Sequence, residues 1–426
     1  MNVSNVTYAA TALVRSFHKA PHYDLAFRPI PHTFAPGETR YQEALAQIAW
    51  PLFVVVLLFC VWRLVRRCCC KSRTDSLATL QDLTCPRLML YLIAIGTAAA
   101  IAVSFKANDD LNNGASDLRA RTTDADTILQ GIINASATAG NASLGLSFIV
   151  ANTDWSSYSS SVQMQATEMA AELRTSGINL HTIGQYADSY DPTQFNADIK
   201  DVNHTRNLAT IAFTALVLGL LSIDVASVVC KSLFAMQVSQ FLGYVCFVIL
   251  GLLAGIELAL SVGVADFCAD PGRYIVTEAG GPETIAGYYV ACPQDKNPYA
   301  QFFVSAADAL NSSSILIQRI EQETGDTFPN ITRGIAVLGA GVQGLEASLT
   351  CDALHEQLIH GITIACITGF EGAVSLLFSH ATAAFLFAFI LLLLSHIIAN
   401  TYDDMSLYMD EYTPLFSNPS RETKIP

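Results

Sequence analysis

An all-α membrane protein, with five transmembrane helices and a disulfide-stapled helical extracellular domain, is the fold class this sequence predicts. Three observations carry it: an apolar composition poor in charge, five long apolar windows, and cysteines divided between two chemical environments. Of 426 residues, 52% are hydrophobic and 14% charged, against roughly 25% charged in soluble domains. That places the chain in the membrane class.

The elements follow in order. A helix needs roughly 20 apolar residues to cross the bilayer core, and five windows meet that: residues 44–62, 88–105, 208–230, 241–265 and 373–399. The loop at 63–87 holds Arg63, Arg66, Arg67, Lys71, Arg73 and Arg87 against Asp75 and Asp82, so the positive-inside rule puts it in the cytosol. The N-terminal segment 1–43 and the long segments 106–207 and 266–372 are then extracellular, while the 231–240 loop and the 400–426 tail are cytosolic. Asn-X-Ser/Thr sequons at Asn2, Asn5, Asn134, Asn141, Asn203, Asn311 and Asn330 all fall in the outside segments, as glycosylation requires. No N-terminal stretch has the apolar core of a cleavable signal peptide, so the first span is expected to act as its own insertion signal.

The eleven cysteines split the same way. Cys60, Cys68, Cys69, Cys70, Cys85, Cys230 and Cys246 take membrane or cytosolic positions. Cys268, Cys292, Cys351 and Cys366 lie outside, where disulfides persist. Four cysteines allow three connectivities. Cys268 just beyond the fourth span and Cys366 just before the fifth both belong near the membrane surface, which favours the nested pairing Cys268–Cys366 and Cys292–Cys351. Within the outer segments, residues 315–322 and 345–362 repeat apolar positions at helical spacing. Residues 124–185 are rich in Ala and Ser, a weaker helical pattern. The two outer segments are expected to fold together as one all-α domain.

This order of spans, outer segments and cysteines resembles the tweety family. The residues that carry the resemblance are "SFHKAPHYDLAFRPIPHTFAPGETRYQEAL" (16–45), "DFCADPGRYI" (266–275), "YYVAC" (288–292) and "LTCDALHEQLIHGITIACITGFEG" (349–372). The resemblance implies a plasma-membrane homodimer, nested disulfides, calcium at the outer dimer region, and activity as a chloride or volume-regulated anion channel. Where the family's pore arginine is expected, this chain has a serine-rich stretch near Ser160.

"FKANDDLNNG" (105–114) gathers oxygen ligands just past the second span. An EF-hand is excluded, because Asn113 stands where the loop glycine belongs and Arg119 where the bidentate glutamate belongs. Asp110 and Asn113 match the family's calcium positions and, three residues apart on a helix, share a face. One face cannot supply six to eight oxygens, so other groups must complete the shell. Asp224 and Glu257 are carboxylates inside spans, where such residues face a bundle interior or a wet cavity; His380 and His396 are weaker candidates of the same kind. Cys68, Cys69 and Cys70 are juxtamembrane candidates for palmitoylation. Gly339, Gly341 and Gly344 form a formal GxGxxG with no strand pattern suited to a dinucleotide fold, which points to close helix packing.

No catalytic constellation or zinc spacing occurs, so no enzyme is expected, and no nucleic-acid partner is expected either; a net charge of −14 makes a field that repels anions rather than steering them. The spans contain no central Lys or Arg, whereas an anion pore uses rings of positive charge. The channel reading therefore rests on the resemblance. The residues lean to an alternative, a non-conducting, calcium-associated homodimer that binds or transfers membrane lipid in an apolar pocket. A second alternative is an adhesion or scaffold glycoprotein.

Overall fold

A computed structural model of the protein describes residues 8–69, 84–189, 192–278, 285–292 and 297–412. The described residues form twelve α-helices and one π-helical turn, with no strand beyond an isolated bridge between Tyr23 and Pro29. In order these are α1 (Ala12–His18), α2 (Thr39–Cys69), α3 (Thr84–Asn152), α4 (Ser160–Asp188), α5 (Thr193–Val229), α6 (Leu233–Ala269), α7 (Pro271–Glu278), α8 (Ile285–Ala291), α9 (Ala300–Thr324), α10 (Pro329–Ser348), α11 (Cys351–Thr363), the π turn (Ile364–Gly369) and α12 (Phe370–Tyr412). Four of the apolar windows fall within α2, α3, α6 and α12, the window 208–230 ends one residue past α5, and among the described residues five helices are long and apolar enough to span a membrane.

Local chemistry sets the ends. Gly325 closes α9 with a left-handed φ of 74°, its N–H bonding to the Glu321 carbonyl, as a terminal glycine does best. Proline opens α10 at Pro329, where its missing N–H has no helical partner to lose. The stretch 345–362, expected as one helix, is two: α10 ends at Ser348, and Thr350, extended at φ −61° and ψ 140°, leads into α11. Both halves keep their apolar spacing, so periodicity alone could not reveal the break.

The chain divides into two compact units. One takes the described residues within 8–10, 115–202 and 270–365, close to the two predicted outer segments. Its core joins Leu146, Leu173, Leu180, Phe303, Ile320, Leu338 and Leu345. In α4 the buried positions Ala166, Ala170, Leu173, Gly177, Leu180, Gly184 and Ala187 alternate spacings of four and three, the seam of a heptad. Against this seam α3 sets a row of serines. Ser136 Oγ donates to the Leu180 carbonyl, Ser143 Oγ to Leu173 at 2.6 Å, and Ser147 Oγ to Ala170 at 2.6 Å. The partner number falls as the serine number rises, so the helices run antiparallel. Small residues permit the approach, which explains why the Ala- and Ser-rich stretch gives a weak hydrophobic signal. Gly341 of α10 packs similarly: an added Cβ would stand 3.2 Å from the Ala139 backbone. Cys292–Cys351 closes this unit.

The other unit takes the described residues within 11–114, 203–269 and 366–412. The pre-membrane segment from residue 11 thus clusters with the spans. Its core joins Val56 of α2, Ile101 of α3, Val217 and Leu221 of α5, Phe247 and Leu250 of α6, and Phe387 and Leu391 of α12. Helix α6 is central to the packing, and Cys268 at its end is bonded to buried Cys366 of the π turn. Both disulfides follow the nested pattern. Helices α2 and α6 approach so closely that a Cβ on Gly255 would meet the Ala49 carbonyl oxygen at 2.6 Å.

Gly255→Ala therefore forces the two helices apart, an overpacking expected to cost about 1–3 kcal/mol and to lower the melting temperature in detergent. Gly219→Ala, on an exposed face of α5 with nothing within 4 Å, is the control. It should hold or raise stability by roughly 0.5–1 kcal/mol. Equal melting temperatures for the two variants would remove the close-approach argument.

Candidate functional site

A buried polar cluster outside the spans' apolar windows lies at the end of α6. Asp266, 3% exposed, receives three donors from the N-terminal segment and α2. His18 Nδ1 reaches Oδ1 at 2.8 Å, His22 Nε2 reaches Oδ2 at 2.8 Å, and Tyr41 Oη donates to Oδ2 at 2.8 Å. A carboxylate so buried demands partners, and these supply them. The other ring nitrogen of His22, Nδ1, donates to the Ala20 carbonyl at 2.7 Å. An acceptor at each nitrogen favours the protonated ring of His22 over the neutral one. His32 completes the group: its ring centroid lies 4.5 Å from that of His22, and its Nδ1 donates to the His18 carbonyl at 2.9 Å.

Local order in the segment positions these groups. Thr11 caps α1 by accepting from Val14 N, which brings His18 to the helix end. Asp24 accepts from the backbone N–H of Ala26 and Arg28 and from the Arg28 guanidinium, at 2.7–3.0 Å, and so fixes the turn that follows His22.

Beside this clasp opens an apolar cavity of about 440 Å³, lined among others by Phe17, Pro21, Ala44, Ile48, Leu258 and Val262. Its walls alternate with the clasp residues along the chain. Phe17 and Pro21 flank His18 and His22, Ala44 follows Tyr41 by one helical turn, and Val262 precedes Asp266 by one turn. Pro51, also in the wall, sits inside α2 and has no N–H for the Gln47 carbonyl one turn back.

The candidates read from sequence take varied places. Asp224 is 1% exposed, accepts from Ser239 Oγ, and keeps Oδ2 without a partner. Glu257 Oε1 meets His380 Nδ1 at 2.7 Å, with Oε2 unpartnered. These are hydrogen bonds between helices, α5 to α6 and α6 to α12. His396 is engaged with Asn400. Asp110 and Asn113 lie outward on α3, Asp110 paired with Lys106 at 3.7 Å. Among the described residues no group of three His, Cys, Asp or Glu could hold a metal ion. The inward members of the same stretch, Asn108 and Asn112, bond instead to α5. Asn134, Asn141, Asn311 and Asn330 are exposed on helices. Asn203 is half-buried and bonded to Asn112 and Arg206. Asn2, Asn5 and Cys70 lie outside the described residues, and Cys68 and Cys69 close α2.

The Tweety family model matches residues 9–421, nearly the whole chain, including the segment that builds the clasp. The chain belongs to the Tweety family. Among similar proteins, protein tweety homolog 1 of Bos taurus is 25% identical over 400 residues, covering 87% of each chain. Protein tweety homolog 1-B of Xenopus laevis is 24% identical over 402 residues, covering 87% of this chain and 86% of its own. Protein tweety of Drosophila melanogaster is 23% identical over 428 residues, 91% of this chain but 42% of its own length. Sequence reasoning did not single out the clasp in this Tweety-family chain. Its only signal was three histidines in a short matched block and an aspartate just past a span, 244 residues from His22.

Burial pulls the His22 pKa down, but the hydrogen bond and charge of Asp266 outweigh it, and the net shift is upward. A raised folded pKa makes the stabilisation complete below the ordinary histidine value and lost as pH rises through the raised one. His18, His32 and Tyr41 face the same carboxylate or ring. Melting temperature in the native protein should therefore fall as pH rises from below the ordinary histidine value of about 6.5 through the raised one, and Asp266→Asn should lower it at the acid end and flatten the profile. Parallel profiles in the two proteins would refute the assignment.

Proposed function

We propose that this Tweety-family protein is a plasma-membrane glycoprotein, active as a homodimer, that holds membrane lipid in the apolar cavity beside Asp266. The cavity carries the reading. Its volume lies in the range of small-molecule sites, roughly 300–1,000 Å³. Its lining is apolar, and its walls come from the first and fourth spans and the segment leading into the membrane. Extracellular placement of the N-terminus and cytosolic placement of the C-terminus follow from the basic loop after α2. The chloride-channel reading rests on the family resemblance. It asks for positive charge along a path, whereas the ionisable groups read inside the spans are carboxylates and histidines, so the lipid reading stands ahead of it.

Two arms separate these readings. Lipid extracted with the purified protein should be identifiable by mass spectrometry. Leu258→Trp, which fills the cavity, should reduce it several-fold, because the added ring takes volume a ligand would use. In liposomes, chloride flux under osmotic swelling should match empty vesicles. Flux that follows swelling, with lipid content unchanged by the tryptophan, would overturn the lipid reading in favour of a channel.

Calcium belongs to the same proposal as a structural ion. Asp110 and Asn113 lie outward on one helix, and a second copy of the chain would bring further oxygens toward the six to eight that calcium takes. Asp110→Ala and chelation should each lower the dimer fraction in light scattering, and dimers unchanged in both would remove the ion.

A further inference from the structure

We propose that Arg206 anchors a phosphate-binding site at the membrane boundary, between α3 and α5. The site is independent of the cavity. Arg206 stands two residues before the apolar window of α5, and Asn108 three residues past that of α3. Both therefore lie where phosphate groups of a bilayer leaflet lie, at the edge of the hydrocarbon.

The guanidinium is half-buried and held rigidly. Nη1 donates to Asn108 Oδ1 at 2.6 Å and Nη2 to Asn203 Oδ1 at 2.7 Å. Each amide is itself fixed: Asn108, 4% exposed, donates to Asn207 Oδ1 at 2.5 Å, and Asn203 donates to Asn112 Oδ1 at 2.8 Å. Every partner is a neutral amide. None of the ion pairs among the described residues includes Arg206, and Asp110, on the adjoining turn of α3, pairs with Lys106 instead. A guanidinium has five N–H donors, so three remain beyond the two that hold it. A partly desolvated cation without a counter-ion is costly. A planar fork with free donors suits one ligand chemistry above others, the phosphate group. The amide row orients the fork without neutralising it, which is how a site differs from a salt bridge.

Phosphate could reach this position on a lipid headgroup or as the free ion, and the test separates them. Protein in non-ionic detergent is titrated with phosphatidylglycerol, and bound adducts are counted by native mass spectrometry. One adduct should weaken about tenfold in Arg206→Gln, the loss expected for a charge-assisted pair. Displacement of that adduct by inorganic phosphate assigns the site to the free ion, and persistence assigns it to the headgroup. Equal occupancy in native protein and Arg206→Gln overturns the proposal and leaves Arg206 as a staple between helices. Should the variant fail to fold, the native protein decides. Diacylglycerol, with the same tails and no phosphate, must not compete for the adduct, and competition by it overturns the proposal.

Discussion

Asp266 is the constraint on which the membrane-embedded unit depends. A carboxylate removed from water must find donors or lose its charge, and every donor it finds here comes from a different part of the chain: His18 from the end of α1, His22 from the turn beyond, Tyr41 from the first turn of α2. Two residues further on, Cys268 bonds to Cys366 in the π turn that precedes α12. One short stretch of α6 thus ties the entering segment, the first span and the last span together. The cavity exists because this attachment holds residues 16–23 over the α2–α6 groove. Charge at the clasp and apolar space beside it are consequences of the same geometry.

Small residues do in this protein what large apolar ones do in most cores. Between α3 and α4, serine hydroxyls reach carbonyls of the opposite helix and Gly177 and Gly184 clear the way. Between α2 and α6, Gly255 admits the Ala49 carbonyl. Inside a bilayer this is expected, since lipid tails leave no hydrophobic drive between helices and close van der Waals contact must replace it. The same device in the non-membrane unit brings backbone dipoles and hydroxyls into contact away from water, where hydrogen bonds are stronger.

The polar groups in the spans and at their boundary divide into two kinds. Asp224 with Ser239, and Glu257 with His380, are each bonded across a helix pair through one carboxylate oxygen and act as ties within the bundle. Arg206 is different because its partners leave its charge in place. The contrast arises from depth. Toward the middle of a span an ion must be matched by protein groups, whereas at the boundary lipid and solvent can provide the counter-charge.

The sequence by itself determined the class, the five spans and the family, because these follow from composition, segment length and matched blocks, all properties of neighbouring residues; it favoured the nested cysteine pairing without closing the other two connectivities. Helical periodicity also located part of α9, the end of α10 and α11, though not the break at Leu349–Thr350, where spacing on both sides is alike. Asp110 and Asn113 were legible as oxygen-bearing positions; that Asn108 and Asn112 turn inward to α5 was not, since which face of a helix is buried depends on its neighbour. Only the tertiary structure decided the clasp and the cavity. Their members lie up to 248 residues apart, and nothing in local pattern sets which histidine meets which carboxylate. That choice is made by the packing of α2 against α6, which first brings Tyr41, His18 and His22 within reach of one buried aspartate.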